Sequence, residues 1–222
     1  MIVLFVLAVF TILLGAFALP DNSHYVISLA LIAETLAVML IGYEKKGAGA
    51  GEIVLISILC ATAVASRWAM FFVPQFKPLV AVVIISGIVL GAERGFLVGA
   101  MSAFVSNFFF GQGPWTPWQM FALGMCGLLA GLFINKKIIP PKPIYVALFG
   151  ALVTFLVYGG IVDTSSVFLM GGGIPVYEIY IAGAPLNLIH ASASFVFLLL
   201  FTKPALKILN RVKTKYGIEK DK

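Results

Sequence analysis

The sequence predicts an all-α membrane protein, a bundle of transmembrane helices, and three observations predict it. Apolar residues make up 61% of the 222 residues and charged residues 11%, less than half the roughly 25% charge of an ordinary soluble chain, and the mean hydropathy is +1.08. The apolar residues fall in runs near the roughly 20 residues that a spanning helix needs, separated by short segments rich in Gly, Pro and charge. The Lys and Arg residues, finally, gather on every second of those segments, which is a topology signal. The net charge of +6 therefore marks orientation in a membrane and does not point to nucleic acid.

Eight spans are expected, over residues 2–19, 25–43, 53–73, 79–91, 95–110, 117–135, 144–162 and 183–202. The first ends in Ala16-Phe17-Ala18, which resembles a small-x-small cleavage site, but no Lys or Arg precedes the run and a second span follows at once. A retained helix is the expectation over a cleaved signal peptide. The second carries Glu34 at mid-span, at a cost of about 2.5–3.5 kcal/mol if charged and unpaired; a neutral carboxyl, or a partner such as Arg67, Asn187 or His190, is expected. The third presents Ala61, Ala65 and Ala69 every fourth residue, a smooth face that another helix backbone can approach closely. The fourth and fifth are short. Two crossings are expected there, because a re-entrant hairpin would place Glu93 and Arg94 inside hydrocarbon. Gly87, Gly91, Gly95 and Gly99 form a row that the turn near Glu93 should break, and Gly127 and Gly131 repeat the spacing in the sixth span. Internal packing is the expected use of these glycines.

Between the seventh and eighth spans lies the longest expected outer loop, 163–182. Its Gly171-Gly172-Gly173 suits either a mobile gate or a plain connector, and Tyr158, Tyr177 and Tyr180 lie at or near its ends. Residues 203–222 form a basic, partly helical tail suited to an anionic inner surface. The expected organisation is thus two N-terminal helices (1–50), a six-helix membrane domain (51–202) and the tail.

With both termini in the cytoplasm, the inner segments hold Lys45, Lys46, Arg94, Lys136, Lys137, Lys142, Lys203, Lys207, Arg211, Lys213, Lys215, Lys220 and Lys222. Of the 15 basic residues, only Arg67 and Lys77 are exceptions. A multi-pass cell-membrane protein follows, with outer loops at 20–24, 74–78, 111–116 and 163–182. Cys60 and Cys126 lie within apolar runs and outside any metal or redox spacing, as expected of small packing residues.

The stretch from 111 to 120, G-Q-G-P-W-T-P-W-Q-M, concentrates turn-forming, aromatic and polar residues. Gly111, Gly113, Pro114 and Pro117 break the helix, so freed backbone groups need partners. Trp115 and Trp118 suit a membrane–water interface, while Gln112, Thr116 and Gln119 supply donors and acceptors. An interfacial anchor and the lip of a binding site are both consistent with these residues. Asn107 lies on the helix leading into the stretch, and Asn187 and His190, three apart, share a helix face. These eight residues are the candidate substrate-binding set. No Walker-type phosphate loop, H-E-x-x-H or G-x-S-x-G is present, so no catalytic residue, metal or cofactor is expected. His190 with Asp163 or Ser192 is the nearest approach to an enzyme site. A channel or stand-alone transporter is a further alternative.

Segments 53–202 resemble the substrate-binding S component of energy-coupling factor (ECF) vitamin transporters. The resemblance is carried by A-T-A-V-A-S-R-W-A in the third span, by G-A-E-R-G-F-L-V-G-A-M-S-A-F across the fourth-to-fifth turn, and by the 111–120 stretch followed by F-A-L-G-M-C-G-L-L-A-G-L. It implies six helices, to which residues 1–50 add two. It implies partners: a transmembrane coupling protein, docked on Ala61, Ala65 and Ala69, and two ATPases that bind the ATP. It implies capture of a vitamin under the outer loops; the Trp-Pro-Trp version looks most like members assigned to cobalamin or related corrinoids, with riboflavin, pantothenate and a deazapurine precursor left open.

Overall fold

In the computed structural model, residues 49–170 and 174–218 are described continuously, together with Val6, Val9, Phe10, Thr11, Leu13, Ala30, Glu34 and Ala37. The described residues form six helical rods and no strand: α1 (Ala50–Ala69), α2 (Leu79–Leu90), α3 (Ala92–Phe110), α4 (Thr116–Asn135), α5 (Pro143–Leu169) and α6 (Val176–Lys215). Four of them, α1, α4, α5 and α6, are long and apolar enough to cross a membrane. The spans expected over 2–19 and 25–43 lie outside the described residues apart from the positions named, which are helical. Thr11 donates a 2.6 Å hydrogen bond to Glu34. Glu34 is thus served by a hydroxyl of the first span and not by Arg67, Asn187 or His190, which make other contacts.

The short α2 is the hub of the bundle, touching α1, α3, α4, α5 and α6. Every one of its residues but Val82 is buried, so protein and not lipid surrounds it. At 1.5 Å per residue its 12 residues fall well short of a hydrocarbon core of about 30 Å. Its C-terminal carbonyls are nonetheless satisfied. Gly91 N–H reaches Gly87 O at 2.9 Å, Asn135 Nδ2 reaches Ile88 O at 2.7 Å, Lys213 Nζ reaches Val89 O at 2.8 Å and Arg94 reaches Leu90 O at 3.4 Å. The orphan groups that any helix end carries are here met by three other segments of the chain. Arg94 also forms a two-pronged ion pair with Glu52 at the start of α1.

A single residue, Gly91, separates α2 from α3. Its φ of +90° lies in the region that a side chain makes costly. The reversal folds the glycine row back on itself, so that Gly87 and Gly95 both face Gly127 of α4, and a methyl at Gly95 would stand 2.6 Å from Gly127 O. The expected break in the row is therefore what lets three backbones meet.

Three expected boundaries move. The third span stops at Ala69 rather than 73, because Pro74 disfavours helix at the residue before it. α5 runs on to Leu169 and α6 begins at Val176, so most of the expected 163–182 loop is helical, and the Gly171-Gly172-Gly173 of the expected gate or connector lies outside the described residues. The hydroxyls of Thr164, Ser165 and Ser166 bond back to carbonyls three or four residues earlier, so this polar run stays helical. α6 continues through Pro185 and Pro204 to Lys215, as packed membrane helices permit. Two π segments, Gly131–Asn135 in α4 and Thr154–Gly159 in α5, had no counterpart in the sequence reading.

Candidate functional site

Arg67, near the end of α1, organises the first half of the site. Its Nη1 donates to Ser106 Oγ at 2.5 Å and to Asn107 Oδ1 at 2.9 Å. The Asn107 amide, 1% exposed, passes its two protons to Thr116 Oγ1 at 3.1 Å and Gln119 Oε1 at 2.8 Å. Thr116 donates to Gln112 Oε1 at 2.9 Å, and Gln112 Nε2 reaches Phe104 O at 3.0 Å. Gly113 N–H also donates to Thr116 Oγ1, at 3.2 Å. Four of the expected residues, Asn107, Gln112, Thr116 and Gln119, thus form one chain of hydrogen bonds in which every proton has a direction. Such a network fixes its members when complete and is costly when any one is lost. It also answers how the freed backbone of the 111–115 turn is held, with Gly111 at φ +102° ending α3.

The two tryptophans separate. Trp115 is 40% exposed and lies flat on Gly113, whose missing side chain makes room for the ring. Trp118 is 1% exposed and stacks on Phe168 of α5, with centroids 5.4 Å apart and planes at 24°. An interfacial anchor is therefore an available reading for Trp115 and not for Trp118.

The second half lies between α5 and α6. Asn187 donates to Asp163 Oδ2 at 2.7 Å, with Gly159 and Gly183 leaving space for the two side chains. Asp163 is a buried helical residue and not, as expected, part of an outer loop. His190, one turn along α6 from Asn187, meets Tyr158 edge-on with centroids 4.9 Å apart, and its Nε2 is buried without a hydrogen-bond partner. Thr154 Oγ1 lies 2.9 Å from Ser194 Oγ. Tyr158 and Thr154 both stand in the π segment of α5. Such segments recur at functional sites.

The halves approach each other through Trp118 and Phe168. Below them sits the 70–78 turn, where Phe76 packs on Phe197 at 5.6 Å, two turns further along α6 than His190. Lys77 in that turn is held below its ordinary pKa by partial burial first and by the Arg67 charge second. Arg67 and Lys77 both stand over the ring of Phe110, at 4.3 and 4.5 Å from its centroid.

Ala61, Ala65 and Ala69 are exposed. The first two line an apolar groove of about 820 Å³ between α1 and α3, with Cys60, Val64, Trp68, Leu97 and Met101 among its walls. This groove lies on the flank of the bundle and none of the candidate substrate-binding residues lines it.

Sequence reasoning missed the roles of Arg67, Ser106, Tyr158, Asp163 and Phe168. Arg67 carried a usable signal, a cation within an apolar span. Asp163 carried a misleading one, because polarity was read there as a loop.

The family described as "ECF-type riboflavin transporter, S component" matches residues 48–207. The chain belongs to this family. The match covers α1 to α5 and most of α6, so the network at Arg67 and the α5–α6 pairs both lie within the S-component region. The chain is also similar to a UPF0397 protein of Vibrio atlanticus, 35% identical over 89 residues, which is 38% of this chain and 48% of the relative. A UPF0397 protein of Aliivibrio salmonicida is 33% identical over 105 residues, 45% of this chain and 55% of the relative. The chain spans about half the length of the curated relatives it matches. No solved structure matches. Family and helices together make this a multi-pass membrane protein.

Proposed function

We propose that this chain is the substrate-capture subunit of an ECF-type importer for a vitamin or related micronutrient, with both termini cytoplasmic. The family match over residues 48–207 carries the reading. The division into two added N-terminal helices, a six-helix binding domain and a basic inner tail belongs to the same proposal. Substrate enters from outside between the Arg67 network and the α5–α6 pairs. Gln112, Thr116, Gln119 and Asn107 form its polar wall, Asn187 and His190 face it from α6, Trp115 stacks on it at the rim, and Trp118 positions Phe168. Ala61, Ala65 and Ala69 dock the transmembrane coupling protein, and two partner ATPases supply the energy, since the chain has no phosphate loop of its own.

For the cargo, the family's description supports a flavin, and the W-T-P-W stretch supports cobalamin or a related corrinoid by resemblance. The flavin is the first reading, because Trp118 is already stacked on Phe168, leaving Trp115 as the exposed ring of the pair for a ligand of modest size. Native mass spectrometry and an absorption spectrum of the purified chain distinguish the two. A retained flavin supports the first reading and a retained corrinoid replaces it. Binding of neither, and of no other vitamin in a thermal-shift panel, would sink the proposal. A large side chain at Ala65 is expected to abolish association with the coupling protein while substrate affinity is unchanged; co-purification is the measurement.

A further inference from the structure

We infer that the captured substrate carries a compact oxyanion, a carboxylate or a phosphate, and that Arg67 and Lys77 receive it beside the ring of Phe110. The inference rests on the substrate-capture reading and adds the chemical class of the cargo; for a flavin it requires the 5′-phosphate, because riboflavin itself is neutral. Two cations share one aromatic ring, at 4.3 and 4.5 Å from its centroid, so both charges are gathered around Phe110 despite their repulsion. Neither forms an ion pair among the described residues. Arg67 spends the two protons of Nη1 on Ser106 and Asn107, both neutral, which orients the guanidinium without cancelling its charge and leaves other N–H groups of the fork uncommitted. The aromatic face offsets part of the cost of gathering the charges, and a bound anion would offset the rest. A partly buried guanidinium beside an ammonium matches a planar or tetrahedral oxyanion that takes two parallel N–H bonds and one point charge.

His190 supplies an independent sign of a ligand. It is 6% exposed, meets Tyr158 edge-on, and its buried Nε2 has no partner among the described residues. That nitrogen presents a donor or an acceptor to whatever fills the space, and a buried polar atom left unpaired is costly. Asp163, held by Asn187, forms no ion pair with either cation among the described residues. These groups also explain the two breaches of the charge pattern, since Arg67 and Lys77 are the basic residues that the positive-inside rule does not place.

The test uses the full chain in a lipid-free maltoside micelle, with thermal unfolding followed in sodium phosphate against sodium chloride at equal ionic strength. Phosphate is expected to raise Tm by a few degrees. Lys77→Gln, on a turn outside the hydrogen-bond network, should remove the rise, Arg67→Lys should reduce it, and Lys142→Gln should leave it intact. A second arm compares riboflavin 5′-phosphate with riboflavin, and pantothenate with pantothenol. The anionic member of the pair that binds should be about ten-fold tighter, a difference of about 1.4 kcal/mol, and should lose that advantage in Lys77→Gln and in high salt. Equal affinity within the pair, with no phosphate effect, overturns the oxyanion and leaves vitamin capture standing. A phosphate effect with no vitamin bound keeps the anion site and removes the capture reading. Stabilisation by added phosphatidylglycerol without any by free phosphate assigns the cations to a lipid headgroup and overturns the inference.

Discussion

The two halves of the bundle use glycine in opposite ways. In α2, α3 and α4, a side chain added at Gly87, Gly95, Gly99, Gly127 or Gly131 would strike backbone atoms of a neighbouring helix. In α5 and α6, a side chain added at Gly150, Gly159 or Gly183 would meet the ends of Leu198, Asn187 and Asp163. Backbone in contact with backbone has no rotamer to change, whereas the tip of a side chain can turn away. The first half is therefore a fixed frame for the Arg67 network. The second is joined by side-chain pairs across a π segment, and it can adjust to a ligand with little backbone movement.

That contrast breaks most directly at its glycines. Gly127→Ala is expected to cost about 3 kcal/mol or more through overpacking, and Gly150→Ala about 1 kcal/mol. Thermal unfolding in a micelle measures both, and equal losses would erase the distinction. Next comes the network itself. Asn107→Leu strands one bond of Arg67 and leaves Thr116 and Gln119 with lost partners, for about 2–4 kcal/mol; a Tm within a degree of the parent would show that the network is ornamental to stability.

Asn187→Ala removes a single bond to Asp163 and is expected to cost about 1 kcal/mol, yet to weaken substrate binding more than stability. Isothermal titration beside the unfolding curve separates the two, and loss of stability alone would place the pair outside the site. The smallest effect belongs to Tyr180→Phe. It deletes a 2.7 Å hydroxyl contact with Thr164 that is exposed to solvent, so about 0.5 kcal/mol or less is expected, read as the rate of hydrogen exchange at the start of α6.

The six described helices were legible because burial in lipid demands apolar runs, and such runs survive in composition. Their ends were less legible. A run such as Asp163 to Ser166 reads as a loop by hydropathy, yet stays helical because Asn187 and the helix's own carbonyls take up its polar groups. The 111–120 stretch showed which residue types would gather but not how. Nothing in the spacing of Asn107, Thr116 and Gln119 says that Arg67, some 40 residues earlier, holds them together, since that contact depends on which helices become neighbours. The π segments left no mark at all, because the same residues would serve in an ordinary turn of α-helix.

At 1.5 Å per residue the 40 residues of α6 reach about 60 Å, against roughly 40–45 Å for a bilayer with its headgroups. The rod must lean steeply or stand clear of the membrane at an end. Its last turns carry Lys213 onto the C-terminal end of α2, while its first turns carry Tyr180 against Thr164 of α5. One continuous helix thus joins the end of α2 to the C-terminal part of α5, so a displacement at either end of α6 is felt along its whole length.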